Sequence, residues 1–169
     1  TMRPTIMRRQ LAAHSAQHWY KAHQLRKKRF ARRGAFSHEK CKNIGESYCF
    51  GLEQLPSKGD TLFITGGEKD VMSLAAHGFH AICFNSETVT VPPNIIYKLT
   101  FRFKHIILLY DMDATGVESA KKHEKQLCEY GVKRLLLPLQ GTKTEKDISD
   151  YFRAGNSRES FIKLFIDFL

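Results

Sequence analysis

Apolar and polar positions follow a clear rhythm from residue 60 onward. Short unbroken apolar runs alternate with segments whose apolar residues recur three and four apart. The runs at 61–65, 80–84, 105–110 and 134–138 predict four buried strands. Gly66-Gly67 closes the first of them. The segment 69–77, with Val71, Leu74 and Ala75 inward, predicts an amphipathic helix stopped by Gly78. A longer helix is predicted over 114–130, with Ala120, Leu127 and Cys128 inward and Gly131 at its end. A short helix is expected at 93–100, and closing helices at 148–154 and 157–168. Continuous apolar strands alternating with helices specify an α/β domain. Its sheet should be mostly parallel, four-stranded and covered by helices on both faces.

Ahead of residue 60 the pattern thins. Leu11, Ser15, His18, Ala22 and Leu25 recur at helical steps, between Pro4 and Gly34, and predict a helix over about 8–33. The apolar stripe is narrow, so this helix needs the domain or a partner to stabilise it. Tyr48, Phe50 and Leu52 alternate with Cys49 and Gly51, and 56–59 forms a turn, which predicts a small ribbon. The expected organisation is a basic helical segment at 1–35, a β-rich connector at 36–59, the α/β domain at 60–155 and a C-terminal helix at 156–169. A chain starting at Thr1 rather than Met points to processing or an excised fragment.

Charge changes this picture most. The 169 residues carry 27 Lys and Arg against 17 Asp and Glu, a formal net charge of +10. Ten of the basic residues lie before Gly34, where there is no acid. The remaining 17 are balanced by all 17 acids. The partner-binding signal is therefore local, with Arg26, Lys27, Lys28, Arg29, Arg32 and Arg33 at its centre. Such a segment neutralises nucleic-acid phosphates, or faces an acidic protein as a solvated helix. No apolar run reaches the roughly 18 residues of a membrane span. No apolar stretch follows the N-terminal basic residues, which excludes a secretory signal; a mitochondrial presequence stays compatible with an acid-free basic start. Cys41, Cys49, Cys83 and Cys128 are spaced for neither a zinc site nor a disulfide framework, and read as thiols of a reducing cytoplasm.

In an open parallel sheet, chemistry sits beyond the carboxyl ends of the strands. Two acidic pairs fall there: Glu68 and Asp70 after the first strand, Asp111 and Asp113 after the third. A carboxylate ending an apolar run is costly unless it is paired or metal-bound, which singles out Asp111. Hard oxygen donors of this kind suit Mg²⁺, and Asp113 suits either that role or the cap of the following helix. Asp147 is open to the same two readings. Lys143 and Lys146 in its loop meet phosphate or solvent. Neither the Walker nor the dinucleotide glycine spacing is present around Gly66-Gly67.

Taken together, these motifs resemble a Toprim domain, the metal-binding catalytic domain shared by bacterial-type primases, topoisomerases and some nucleases. The resemblance is carried by a strand leading to Gly66-Gly67-Glu68-Lys69-Asp70. It also rests on a strand leading to Asp111-Met112-Asp113 with Gly116, and on a later Lys146-Asp147. It is firm over about 61–151 and comes nearest to phage- and plasmid-type primases and primase–helicases. Residues 51–56 and the basic segment resemble the remainder of a primase core. One position departs: related primases usually carry Glu where this chain has Gly66, so the first-motif acid is absent. Glu68 lies two residues on, about 6–7 Å along an extended chain, and a turn there would let it substitute.

The resemblance implies metal-dependent nucleotidyl transfer, the synthesis of RNA primers on single-stranded DNA. Glu68, Asp70, Asp111 and Asp113 would be catalytic. Asp111, Asp113, Glu68 and Asp147 would hold Mg²⁺ or Mn²⁺, with no zinc. Lys69, Lys143 and Lys146 would meet nucleotide phosphates. The implied partners are single-stranded DNA, ribonucleoside triphosphates and a replicative helicase, with no membrane, in the cytoplasm of a bacterial or phage-infected cell. Two alternatives are a Toprim-type nuclease and a catalytically weakened nucleic-acid-binding or assembly module, the latter favoured by Gly66.

Overall fold

The computed structural model describes residues 48–169. The expected basic helix, its residues 26–33 expected to face DNA, and the first half of the 36–59 connector lie outside them. Four strands, β1 (Gly59–Thr65), β2 (His80–Cys83), β3 (Phe103–Leu109) and β4 (Lys133–Arg134), form one sheet in the order β2-β1-β3-β4, every pair parallel. Around it lie α1 (Glu68–Ala76), α2 (Pro93–Thr100), α3 (Ala114–Gln126), α4 (Ile148–Arg153) and α5 (Arg158–Ile166).

Both faces of the sheet are covered, as unbroken apolar strands require. Side chains alternate across a strand, so Phe63 and Ile107 face one layer while Leu62, Ile64, Ile106 and Leu108 face the other. The Phe63 layer is closed by Val71 and Leu74 of α1, Ile148 and Tyr151 of α4, and Phe161 and Phe165 of α5. The Leu62 layer is closed by Ile96 and Leu99 of α2 and by Ala120 of α3.

Two sequence expectations are corrected. The fourth strand is confined to Lys133–Arg134, paired with Ile107 and Leu108. Beyond it the Leu135 amide still donates to the Leu108 carbonyl at 2.9 Å, but the Leu137 amide turns to the Met112 sulfur and Pro138 has no amide to donate. The long helix ends at Gln126 and passes into a 3₁₀ turn, Cys128–Tyr130, closed by Gly131 with φ 67°. That change of pitch keeps Leu127 buried and turns Cys128 outward, not inward. Ahead of β1, the described part of the expected ribbon is one antiparallel bridge, Phe50 to Cys83, followed by a 3₁₀ turn at Leu52–Gln54.

For function, the register is what matters. Thr65 at the end of β1 is level with Cys83 of β2 and Leu109 of β3. The chain leaving each of these strands therefore emerges at one edge of the sheet. Among the described residues no helix is long and apolar enough to cross a membrane.

Candidate metal centre

Three aspartates from three segments converge at that edge. Asp70, in the first turn of α1, Asp111, after β3, and Asp147, ahead of α4, each bring a carboxylate oxygen within 4.8 Å of the others. Asp70 and Asp147 are each only 5% exposed, so their charges need partners.

The partners are in place. Thr65 ends β1 and donates its hydroxyl to the Gly67 carbonyl at 3.1 Å, which fixes the turn into α1. Asp70 then accepts from the Ser149 hydroxyl at 2.6 Å. Asp147 caps α4 by accepting from the Asp150 amide at 2.8 Å, while its other oxygen pairs with Lys69 at 2.7 Å. Lys146 reaches Asp111 at 2.5 Å and Asp113 at 3.2 Å. These two carboxylates raise the Lys146 proton affinity, Asp111 foremost. Asp113 itself is the cap of α3, accepting from the Gly116 amide at 2.9 Å, and that bond leads in holding its carboxyl below the usual range. Gly116 is required here: a Cβ on it would lie 2.2 Å from the Asp111 carbonyl oxygen. The absence of a side chain lets α3 begin against the Asp111 backbone.

Of the other residues expected from sequence, Glu68 lines, together with all three aspartates, a cavity of about 600 Å³ and accepts a hydrogen bond from the Tyr48 hydroxyl. Neither it nor Asp113 belongs to the compact aspartate trio. Lys69 and Lys146 line the cavity, whereas Lys143 is exposed in a turn and does not. The sequence expectation put Asp111, Asp113, Glu68 and Asp147 at the metal; the geometry keeps Asp111 with Asp147, adds Asp70, which was expected as catalytic, and leaves Asp113 and Glu68 outside the trio.

It also overlooked Glu87, in the loop after β2, which lines the cavity and has an Oε2 that is buried without a hydrogen-bond partner among the described residues. Burial, then Asp111 and Asp113, raise the proton affinity of this carboxyl. The topological rule applied to the ends of β1 and β3 applies equally to the end of β2, and was the available signal.

The donor set fits a hard divalent cation. It consists of closely spaced carboxylate oxygens, one more carboxylate oxygen makes no hydrogen bond among the described residues, and the trio contains neither Cys nor His. Asp70 shows the electrostatic tension of such a cluster. Burial foremost, and the Asp147 and Asp111 charges, push its carboxyl up to about 6 against the opposing Ser149 hydrogen bond and Lys69. A folded carboxyl that binds its proton more tightly than the unfolded chain does costs stability above its folded pKa, and the cost is relieved as pH falls toward the unfolded value. Asp70→Asn should therefore stabilise the metal-free chain at neutral pH more than at about pH 5. Urea unfolding of both chains in EDTA at the two pH values checks this. An equal difference at both pH values would contradict it.

Comparison with known proteins bears on the family and the fold. A family described as Toprim-like matches residues 63–152. No curated protein matches the chain. Among solved structures, the Aquifex aeolicus primase (zinc-binding and RNA polymerase domains) is similar with a TM-score of 0.55 at 21% identity, over 73% of this chain and 30% of that one. The primase fragment of the bacteriophage T7 primase-helicase protein is similar with a TM-score of 0.49 at 20% identity, over 66% of this chain and 46% of that one. A chain of the bacteriophage T7 lagging-strand DNA polymerase complex, with primase domains bound to an RNA/DNA hybrid and dTTP, gives 0.49 at 19% identity, over 67% and 57%. This chain thus spans between about a third and somewhat over half of the solved chains it matches. The Aquifex likeness supports the fold.

Proposed function

The chain belongs to the Toprim-like family, and from that premise we propose that it performs metal-dependent nucleotidyl transfer, making RNA primers from ribonucleoside triphosphates on single-stranded DNA as part of a primase or primase–helicase. The observation that carries this reading is the convergence of Asp70, Asp111 and Asp147 at the carboxyl edge of the sheet, between two lysines.

Asp70, Asp111 and Asp147 would hold Mg²⁺ or Mn²⁺, with Asp113 and Glu68 flanking them. The bound cation supplies Lewis-acid stabilisation of charge on phosphate oxygens. The chain's own groups do the rest. Asp111 is set at the mouth of a buried strand and held by Lys146. Lys69 and Lys146 neutralise the carboxylates, and are placed to transfer their hydrogen bonds to the phosphates of an incoming nucleotide. Lys69 is the more available of the two, with 59% of its side chain exposed against 33% for Lys146. Lys143, exposed in its turn outside the cavity, would add positive charge for phosphates beyond it. The basic segment around Arg26, Lys27, Lys28, Arg29, Arg32 and Arg33 would hold the template. A replicative helicase is the expected further partner, in the cytoplasm of a bacterial or phage-infected cell.

Incubation of the chain with Mn²⁺, labelled ribonucleotides and single-stranded DNA tests the reading. Short RNA products support it. Cleavage of labelled DNA in place of synthesis indicates the nuclease, which uses similar acids. Binding without turnover indicates an assembly module, the reading that the missing side chain of Gly66 favours. The template contact makes a separate prediction. Changing Arg26, Lys27, Lys28 and Arg29 to Ala should lower the slope of log affinity against log salt by about one for each lost phosphate contact. Fluorescence anisotropy with labelled single-stranded DNA reads this directly, and an unchanged slope would reassign the segment to a protein partner.

A further inference from the structure

The space beside Gly66 is taken by Glu87. A Cβ built on Gly66 would lie 3.0 Å from Glu87 Oε2, 3.7 Å from Glu87 Cβ and 3.5 Å from Asp111 Oδ1. A side chain at position 66 and the Glu87 carboxylate therefore compete for one place, next to Asp111. The Glu87 oxygen there is buried and has no hydrogen-bond partner among the described residues. The Glu87 side chain is half-buried, and among the described residues the Asp111 backbone and the Lys146 charge offset the cost of its carboxylate only in part. A cation offsets that cost directly.

We infer that Glu87, reaching in from the loop after β2, supplies the acid that position 66 lacks and is a further carboxylate ligand of the divalent cation held at Asp111. This rests on the metal-site reading of the trio. The acid is thus delivered from the neighbouring strand end, and the glycine is what makes room for it. Glu68, the nearer candidate along the chain, is instead engaged by the Tyr48 hydroxyl from the first turn of α1. Two consequences separate this arrangement from a simple loss. Restoring Glu at position 66 with Glu87 still present places two carboxylates in one space, and their repulsion offsets any gain. Restoring it after Glu87 is neutralised returns the charge to the same place by the other route.

Calorimetric titration of Mn²⁺ alone into the full chain decides the matter, with circular dichroism and thermal unfolding confirming that each variant is folded. Glu87→Gln should weaken Mn²⁺ binding by about tenfold. Gly66→Glu alone should give little or no gain. Gly66→Glu combined with Glu87→Gln should return the affinity to near the parental value. Parental affinity in Glu87→Gln, with binding lost in Asp111→Asn, would overturn the role of Glu87 and leave the metal site standing. Parental affinity in both variants would remove the site and this inference together. A folded double variant that stays as weak as Glu87→Gln would overturn the positional exchange.

Discussion

Asp111→Asn is expected to abolish primer synthesis and to weaken Mn²⁺ binding by at least about tenfold, with the fold retained. The substitution removes one formal charge at nearly constant size. Asp111 is the one member of the trio that ends a buried strand, and its side chain is 16% exposed, enough to reach the cavity from a rigid position. Its loss releases Lys146 to Asp113 alone, at 3.2 Å. The local backbone does not depend on the charge. The Met112 amide donates to the Lys146 carbonyl at 2.6 Å, and Asp113 independently caps α3. Thermal unfolding of the variant should therefore match the parent, while Mn²⁺ titration and a labelled-ribonucleotide assay should not. Equal Mn²⁺ affinity in the two chains would eliminate Asp111 as a ligand.

Phe161→Ala should cost about 3–5 kcal/mol of stability, a large share of what a domain of this size has to lose. Phe161 lies in α5, beyond the family match at 63–152, yet it is completely buried. Its ring centroid is 5.3 Å from that of Phe63 on β1, 5.1 Å from Phe79 and 5.5 Å from Phe165, with Phe152 at 5.7 Å. Removing the ring leaves a cavity walled by other rings that cannot collapse around a methyl group, and it loses the edge-to-face contacts as well. Urea unfolding reads the change as a lower midpoint at unchanged slope. A loss under about 1 kcal/mol would show α5 to be an appendage rather than part of the domain core.

Both predictions start from features with different degrees of legibility. The strands β1 and β3 were visible in sequence because each is an apolar run closed by a break, Gly66-Gly67 in one case and Asp111 in the other. A run that is buried on both faces needs no alternation, so it stands out against its surroundings. Asp111 was visible for the same reason: a carboxylate at the end of such a run asks for an explanation. The fourth strand was overestimated because Leu135 and Leu137 are apolar and buried. Burial there comes from packing against the layer around Phe63, whereas strand pairing needs amides directed at β3, and Pro138 has none.

What the sequence by itself determined is the order of elements, the parallel sheet and the edge at which the acids emerge. Each of these follows from the local hydrophobic period and from the rule that chemistry lies beyond the carboxyl ends of parallel strands. Which acids meet was decided only by the tertiary structure. Lys69 and Asp147 are 78 residues apart in the chain, and Asp70 and Ser149 are 79 apart, so no local pattern couples them. Asp113 satisfies an ordinary capping pattern, and only the placement of Lys146 ties it to the site. Glu87 was not singled out because the topological rule points only to the loop after β2, and within that loop it is one polar residue among others. Its meaning arises from the parallel register that sets the end of β2 beside Gly66 and Asp111, where a missing side chain and a buried carboxylate occupy the same place.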